Sequence, residues 1–265
     1  MGILTKEQHA QFQQDGYLLI DPEIPMEIID GVVSDLDGQY DQPLNGDGVL
    51  PPCRIQDAWK SSENAHRIAV WPKILQVLQE LYQREPLPFQ TLNFPTGTIQ
   101  PAHSDAIHFS SAPADYMSGV WVGLEEIDEE NGPVFYYPGS HKLPSFDMAD
   151  VGVDPIEENY RDYEAFMSKV VKKFKLEKKQ ATMPKGHVFI WSAGLIHGGD
   201  ERTDLFRSRH SMVTHVYYAD CRYWTPMFSK GLNVHWREPQ FIPKDVEGRD
   251  PSKYGKVYKK GVAMG

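Results

Sequence analysis

The spacing of apolar residues changes character near residue 86. Upstream it is helical. Thr5 followed by Gln8 has the form of a capping box, and the segment through Phe12 runs to a break at Asp15-Gly16. Residues 17–20 (YLLI) read as a short buried strand. Ile29, Val32, Val33 and Leu36 recur on one face of a helix expected over 25–40, and Ile74, Leu75, Leu78 and Leu81 on one expected over 71–82. Residues 42–52 are rich in Gly, Pro, Asn and Asp and predict a loop. Downstream of 86, short β-rich runs separated by turn residues predict strands at 89–94, 98–103, 119–127, 134–137, 176–182, 187–192 and 211–219, with a helix over 156–171 inserted among them.

This order predicts a mainly β fold with α elements. A helical part over 1–86 packs on a β-barrel or sandwich core over 87–220, and an irregular tail with Pro239, Pro243 and Pro251 spans 221–265, all in one domain. There is no internal repeat.

Composition narrows the partners. The chain has 265 residues, 40% hydrophobic and 24% charged, with a net charge of −10. An acidic chain lacks the concentrated basic stripe of a nucleic-acid binder. The longest basic stretch, 169–179 (KVVKKFKLEKK), reads as a solvated face. Cys53 and Cys221 stand far apart and belong to no CxxC pair, as in a reducing compartment. No apolar stretch approaches about 18 residues, and the opening MGILTKEQHAQF is neither a secretory signal nor a complete myristoylation site. The expectation is a cytoplasmic monomer or homodimer that takes a small-molecule substrate.

His103-Ser104-Asp105 places an imidazole and a carboxylate two residues apart, on one face if the segment is a strand. Ten histidines and twenty aspartates give roughly 0.75 such pairs by chance, so the spacing alone decides nothing. A third candidate changes its weight. In Trp191–Gly199 (WSAGLIHGG), His197 follows an apolar run and precedes two glycines that allow close backbone approach. Two His and one carboxylate leave three metal positions open, the facial arrangement of non-haem iron(II) oxygenases, and a thiolate-free set disfavours structural zinc. The open positions suit a bidentate co-substrate and O₂. A distal carboxylate on that co-substrate needs a cation, and Arg207, Arg209 and Ser211 share a face by strand parity shortly after His197.

With these residues in hand, the chain resembles the phytanoyl-CoA dioxygenase family of iron(II)/2-oxoglutarate oxygenases. LTKEQHAQFQQDGYLLI, QTLNFPTGTIQPAHSD, NGPVFYYPGSH, GHVFIWSAGLIHGG and RHSMVTHVYYADC carry the resemblance, in order, over nearly the whole chain. It implies a double-stranded β-helix (jelly-roll, cupin-like) with helices on the larger sheet. It also implies a triad of His103, Asp105 and His197 for iron(II), and 2-oxoglutarate and O₂ as co-substrates. Counting forward from His197 allows Arg207 or Arg209 as the co-substrate cation; aligning the strand through His215 and Tyr217 selects Arg209, with Ser211 beside it. Gln90 and Asn93 would add polar contacts to the co-substrate. Related halogenases lack the carboxylate, so Asp105 favours hydroxylation or another oxidation over halogenation, with release of succinate and CO₂.

Substrate contacts are expected from Phe109 and Ser110, with Ser111, just past the metal pair, and from Trp224 and Met227 further on. By strand parity His108 shares the face of neither ligand. His141 reads as structural. Residues 42–52 and 112–117 are candidate lids. No basic cluster is placed for coenzyme A phosphates, which favours a free small metabolite. Two rivals stand beside this reading: a cupin-like metal-dependent isomerase or hydrolase, which needs no arginine clamp, and a non-catalytic binding protein on the same fold.

Overall fold

A computed structural model of the chain describes residues 2–40, 53–246 and 258–261; the loop expected over 42–52 lies outside the described residues. Helix α1 (Lys6–Asp15) starts with the expected capping box. The Gln8 amide donates to Thr5 Oγ1 at 3.2 Å and the Thr5 amide to Gln8 Oε1 at 2.9 Å. It ends at Gly16, whose φ of +81° is open to glycine but would strain a residue with a side chain. Then follow β1 (Tyr17–Ile20), α2 (Met26–Leu36), β2 (Cys53–Gln56), α3 (Glu63–Ala69), α4 (Pro72–Tyr82), β3 (Pro86–Phe94), β4 (Ser110–Ala112), β5 (Met117–Gly123) and β6 (Val134–Tyr136). The remainder is α5 (Met148–Val151), α6 (Tyr160–Lys173), β7 (Lys179–Gln180), β8 (Val188–Ser192), β9 (His197–Gly199), β10 (Ser211–Tyr218), β11 (Arg222–Trp224), β12 (Trp236–Arg237) and β13 (Tyr258–Gly261).

Seven strands form the larger sheet in the order β1-β8-β5-β10-β3-β2-β13, every neighbouring pair antiparallel. Two three-stranded sheets, β7-β6-β9 and β12-β11-β4, complete the architecture. Strand parity divides the larger sheet into two faces. Val120, Val122, Val188, Ile190, Met212 and Val216 face α1–α4 and bury Ile29, Val32, Leu36, Ile74 and Leu78 against them. Trp121, Phe189, Trp191 and Val213 point the other way and meet Val134 and Tyr136 of the β6 sheet. The fold is the expected double-stranded β-helix with helices on its larger sheet, and its interior lies between the two sheets.

Several boundaries differ from the sequence expectation. No strand forms over 98–103; a single bridge joins His103 to His197. The run expected over 176–182 shrinks to β7. The inserted helix starts at Tyr160, after a 3₁₀ turn at Glu157–Asn159, rather than at 156. Strand β2 and helix α3 carried no clear periodic signal. The tail expected to be irregular contributes β11, which pairs with both β4 and β12.

Candidate active site

Within the barrel, His103 and His197 face each other across their bridge. The His103 amide donates to the His197 carbonyl and the His197 amide to the His103 carbonyl, each at 2.9 Å. This bridged pair fixes the two imidazoles with ring centroids 4.5 Å apart. Asp105 opens a 3₁₀ turn (Asp105–Ile107) whose preceding residue, Ser104, accepts from the Ala106 amide and donates to the Ala193 carbonyl at 2.8 Å. Asp105 Oδ1 therefore sits 3.8 Å from both His103 Nε2 and His197 Nε2. One ligand atom from each of the three residues lies within 4.8 Å of the others, and all three residues are buried.

Tautomers follow from the second nitrogen. His103 Nδ1 lies 2.9 Å from the Pro101 carbonyl and His197 Nδ1 2.9 Å from the Leu195 carbonyl. A carbonyl only accepts, so Nδ1 carries the proton and Nε2 presents its lone pair to the centre. Burial, with the neighbouring His197, drives the His103 pKa down to about 3, so the imidazole is neutral at physiological pH. Burial opposes ionisation of Asp105, but His197, His215, His103 and the Trp191 N–H together outweigh it and bring its pKa to about 2. A neutral imidazole at His103 and an ionised carboxylate at Asp105 are protonation states that suit a divalent cation. The donor set thus fits a hard or borderline divalent ion such as iron(II).

The triad opens onto a cavity of about 310 Å³. Arg209 lines it and is 2% exposed. Nη1 donates to the Gly132 carbonyl at 3.0 Å and Nη2 to the Thr96 carbonyl at 3.3 Å, while the guanidinium lies 5.2 Å from the Trp121 ring centroid. Its Nε has no acceptor, and among the described residues no carboxylate stands within ion-pair distance of it. Burial lowers its pKa to about 10, which leaves it cationic. Arg207 sits elsewhere: it is half-exposed and paired with Asp128 at 2.7 Å and Glu130 at 3.5 Å.

The phytanoyl-CoA dioxygenase (PhyH) family model matches residues 4–210. The chain belongs to the phytanoyl-CoA dioxygenase family. It is 26% identical over 160 residues to the peroxisomal phytanoyl-CoA dioxygenase of Rattus norvegicus, covering 58% of this chain and 42% of that protein. With the Bos taurus protein it shares 25% identity over 214 residues, 76% of this chain and 58% of the relative. The matches therefore span about half the length of these relatives. Among solved structures, the non-heme alpha-ketoglutarate-dependent carbocyclase SnoK from nogalamycin biosynthesis superposes with a TM-score of 0.65 at 15% identity, over 83% of this chain and 87% of that one. EctD from S. alaskensis with 2-oxoglutarate and 5-hydroxyectoine gives 0.64 at 18%, over 91% and 87%. At these identities the structural likeness establishes the fold.

Other expected residues of this family member are distributed unevenly. Gln90 lines the cavity, its Oε1 3.0 Å from His215 Nδ1. Asn93 does not: it pairs in register with Met212 and Ile55, whose side chains pack under the helices, and so lies on the opposite face. Ser211 is buried with an unpaired hydroxyl but is not part of the cavity lining. Phe109 lines the cavity, while Ser110 turns back to donate to the Ala106 carbonyl at 2.8 Å. Trp224 pairs with Trp236 in the β11–β12 ladder, and Met227 is buried beside Tyr163 and Met167; their chain neighbours Thr225 and Phe228 line the cavity instead. His108 also lines it, because the 3₁₀ turn cancels strand parity. None of residues 112–117 lines it. Tyr116 packs on Tyr218 and under Arg84, away from the cavity. His141 lies outside the cavity, 3.3 Å from the Gln13 carbonyl. Arg54, Gln56, Thr98, Gln100 and Arg237 also line it, and nothing local in the sequence pointed to them.

Proposed function

We propose that this chain is an iron(II)- and 2-oxoglutarate-dependent dioxygenase that hydroxylates an unactivated C–H bond of a small-molecule metabolite. The observation that carries the reading is the pairing, in one cavity, of the convergent His103–Asp105–His197 donors with the buried, carboxylate-free Arg209. His103, Asp105 and His197 would hold the metal, and Arg209 the distal carboxylate of 2-oxoglutarate. Bound together, the metal and co-substrate would activate O₂, one oxygen atom passing into the substrate C–H bond and the other into succinate, with release of CO₂.

The chain's own residues prepare that chemistry. His103 and His197 each direct Nδ1–H to a backbone carbonyl, which leaves Nε2 facing the metal position. Trp191 donates to Asp105 Oδ2 and turns Oδ1 toward the metal position. Phe94, Trp121 and Val213 surround the arginine end with apolar surface, which excludes water and strengthens the guanidinium's grip on an anion. Gln90 orients His215, whose Nε2 lies 3.9 Å from Asp105 Oδ2. A metal-dependent isomerase would have no use for the buried arginine.

Anaerobic titration of the metal-free protein with iron(II) and then 2-oxoglutarate tests the proposal. A weak visible band near about 500 nm is expected once both are present, because the chelate occupies open metal positions. Absence of the band, with no 2-oxoglutarate binding by calorimetry, would refute it.

A further inference from the structure

Charge in the cavity does not balance. Among the described residues, three guanidiniums line it, those of Arg54, Arg209 and Arg237, against the single carboxylate of Asp105. Under the function proposed above, a divalent metal, Asp105, Arg209 and doubly charged 2-oxoglutarate neutralise one another. Arg54 and Arg237 are left over.

Neither has an acidic partner among the described residues. On β2, Ile55 points into the core beneath the helices, so Arg54 and Gln56 lie on the opposite face and reach the cavity. Arg237 comes from β12, where Nη1 donates to Thr225 Oγ1 at 3.1 Å and the guanidinium lies 5.0 Å from the Phe109 ring centroid. The Nε of both arginines is buried with no acceptor, and among the described residues no carboxylate lies within ion-pair distance of either. The contrast with the surface is plain: Arg67 and Arg207 have found carboxylates at 2.6 and 2.7 Å, in a chain with 37 acidic residues and 27 basic ones. Both line the same cavity as His103, Asp105 and His197. Half-buried guanidiniums with open donors are built to receive an anion's oxygens.

We propose that the substrate carries a carboxylate or phosphate monoester held by Arg54 and Arg237, with its reacting carbon beside the His103–Asp105–His197 centre. This substrate class rests on the oxygenase reading. The apolar body of such a substrate would lie against Phe109 and Phe228, which line the same cavity.

The test is a calorimetric titration of the full-length protein, loaded with iron(II) and 2-oxoglutarate under argon, with hexanoate, hexyl phosphate and hexan-1-ol. Binding of 2-oxoglutarate is measured first; its absence overturns the oxygenase reading and this inference with it. With 2-oxoglutarate bound, at least one of the two anions is expected to bind about tenfold or more tighter than the alcohol. The tighter anion names the source. In a double variant, Arg54→Gln with Arg237→Gln, the preference for the anion is expected to vanish, and in Arg54→Lys with Arg237→Lys to survive in part. Equal binding of alcohol and anions, or no measurable binding of either anion, overturns the substrate class and leaves the oxygenase reading standing. So does an anion preference that persists in the double Gln variant. Should that variant fail to fold, the three-probe comparison in the wild-type protein still decides.

Discussion

Trp191 Nε1–H donates to Asp105 Oδ2 at 2.8 Å, which leaves Oδ1 equidistant from the two histidine Nε2 atoms. The indole is an outer support for a ligand, and such supports set metal affinity. Trp191→Phe keeps an aromatic ring in the core and removes the donor. Metal affinity is expected to fall roughly 10–100-fold, read by competition against a chromogenic chelator, while the circular dichroism spectrum stays unchanged. Equal affinity in the variant would show that the bond does not orient the carboxylate.

Gly119 makes room for that indole: a methyl group there would overlap the Trp191 ring from the facing strand β8. Gly119→Ala should therefore push the indole off Asp105 and reproduce the affinity loss of Trp191→Phe. It should add a stability cost of about 1–3 kcal/mol from overpacking, measured by urea unfolding. The double variant should bind metal no worse than the worse single one, since both act through one bond.

Arg209→Gln should raise the dissociation constant for 2-oxoglutarate by about 10²-fold, because a buried charged pair contributes about 2–3 kcal/mol more than a neutral hydrogen bond leaves behind. Metal binding should persist. Arg207→Gln is the matched control. Its exposed pairs with Asp128 and Glu130 contribute at most about 1 kcal/mol, and 2-oxoglutarate affinity should not move. A reversed pattern would transfer the clamp to Arg207.

Acid should destabilise the metal-free protein well above the usual carboxylate range. Burial lowers the pKa of His103 from 6.5 to about 3, and those of His108 and His215 to about 4. The unfolded chain binds protons at these sites from about pH 6.5 downward, whereas the folded chain does not. Stability from the neutral imidazoles is therefore fully present above about pH 6.5 and is lost as pH falls toward 4 and then 3. Asp105, lowered from 3.8 to about 2, adds a further loss below pH 3.8. Melting temperatures of chelator-treated protein should decline steadily between pH 7 and 4, and His215→Gln should flatten the decline. A constant Tm across that range would contradict the assignment of buried neutral imidazoles.

Gly198 sits where a methyl group would strike the Gln100 carbonyl and the Phe135 ring. A backbone carbonyl cannot swing aside, so Gly198→Ala should shift β9 and with it His197. Metal affinity is expected to drop at least about tenfold, a loss on the scale of disturbing a ligand's support, and hydrogen exchange at the His103–His197 bridge should accelerate.

What the sequence determined by itself was the part written in local periodicity and in residue type. Ile29, Val32 and Leu36 predicted a helix because they recur on one face, and they bury that face on the sheet. The capping box at Thr5 predicted where α1 begins. His103, Asp105 and His197 stood out by their chemistry, and the structure gathers them within 4.8 Å. The reason first given for the nearness of His103 and Asp105, strand parity, was wrong: their convergence comes from a bridge across 94 residues of sequence and a 3₁₀ turn. Which arginine faces the cavity, Asn93's turn to the helical side, and the presence of Arg54, His108, Trp191 and Arg237 around the site were decided only by tertiary structure. Cavity lining depends on which strands pair and in what register, as where Gln90 meets His215 across β3 and β10. A one-residue slip in that pairing would turn Gln90 or His215 away from the cavity, and no window of neighbouring residues encodes the register.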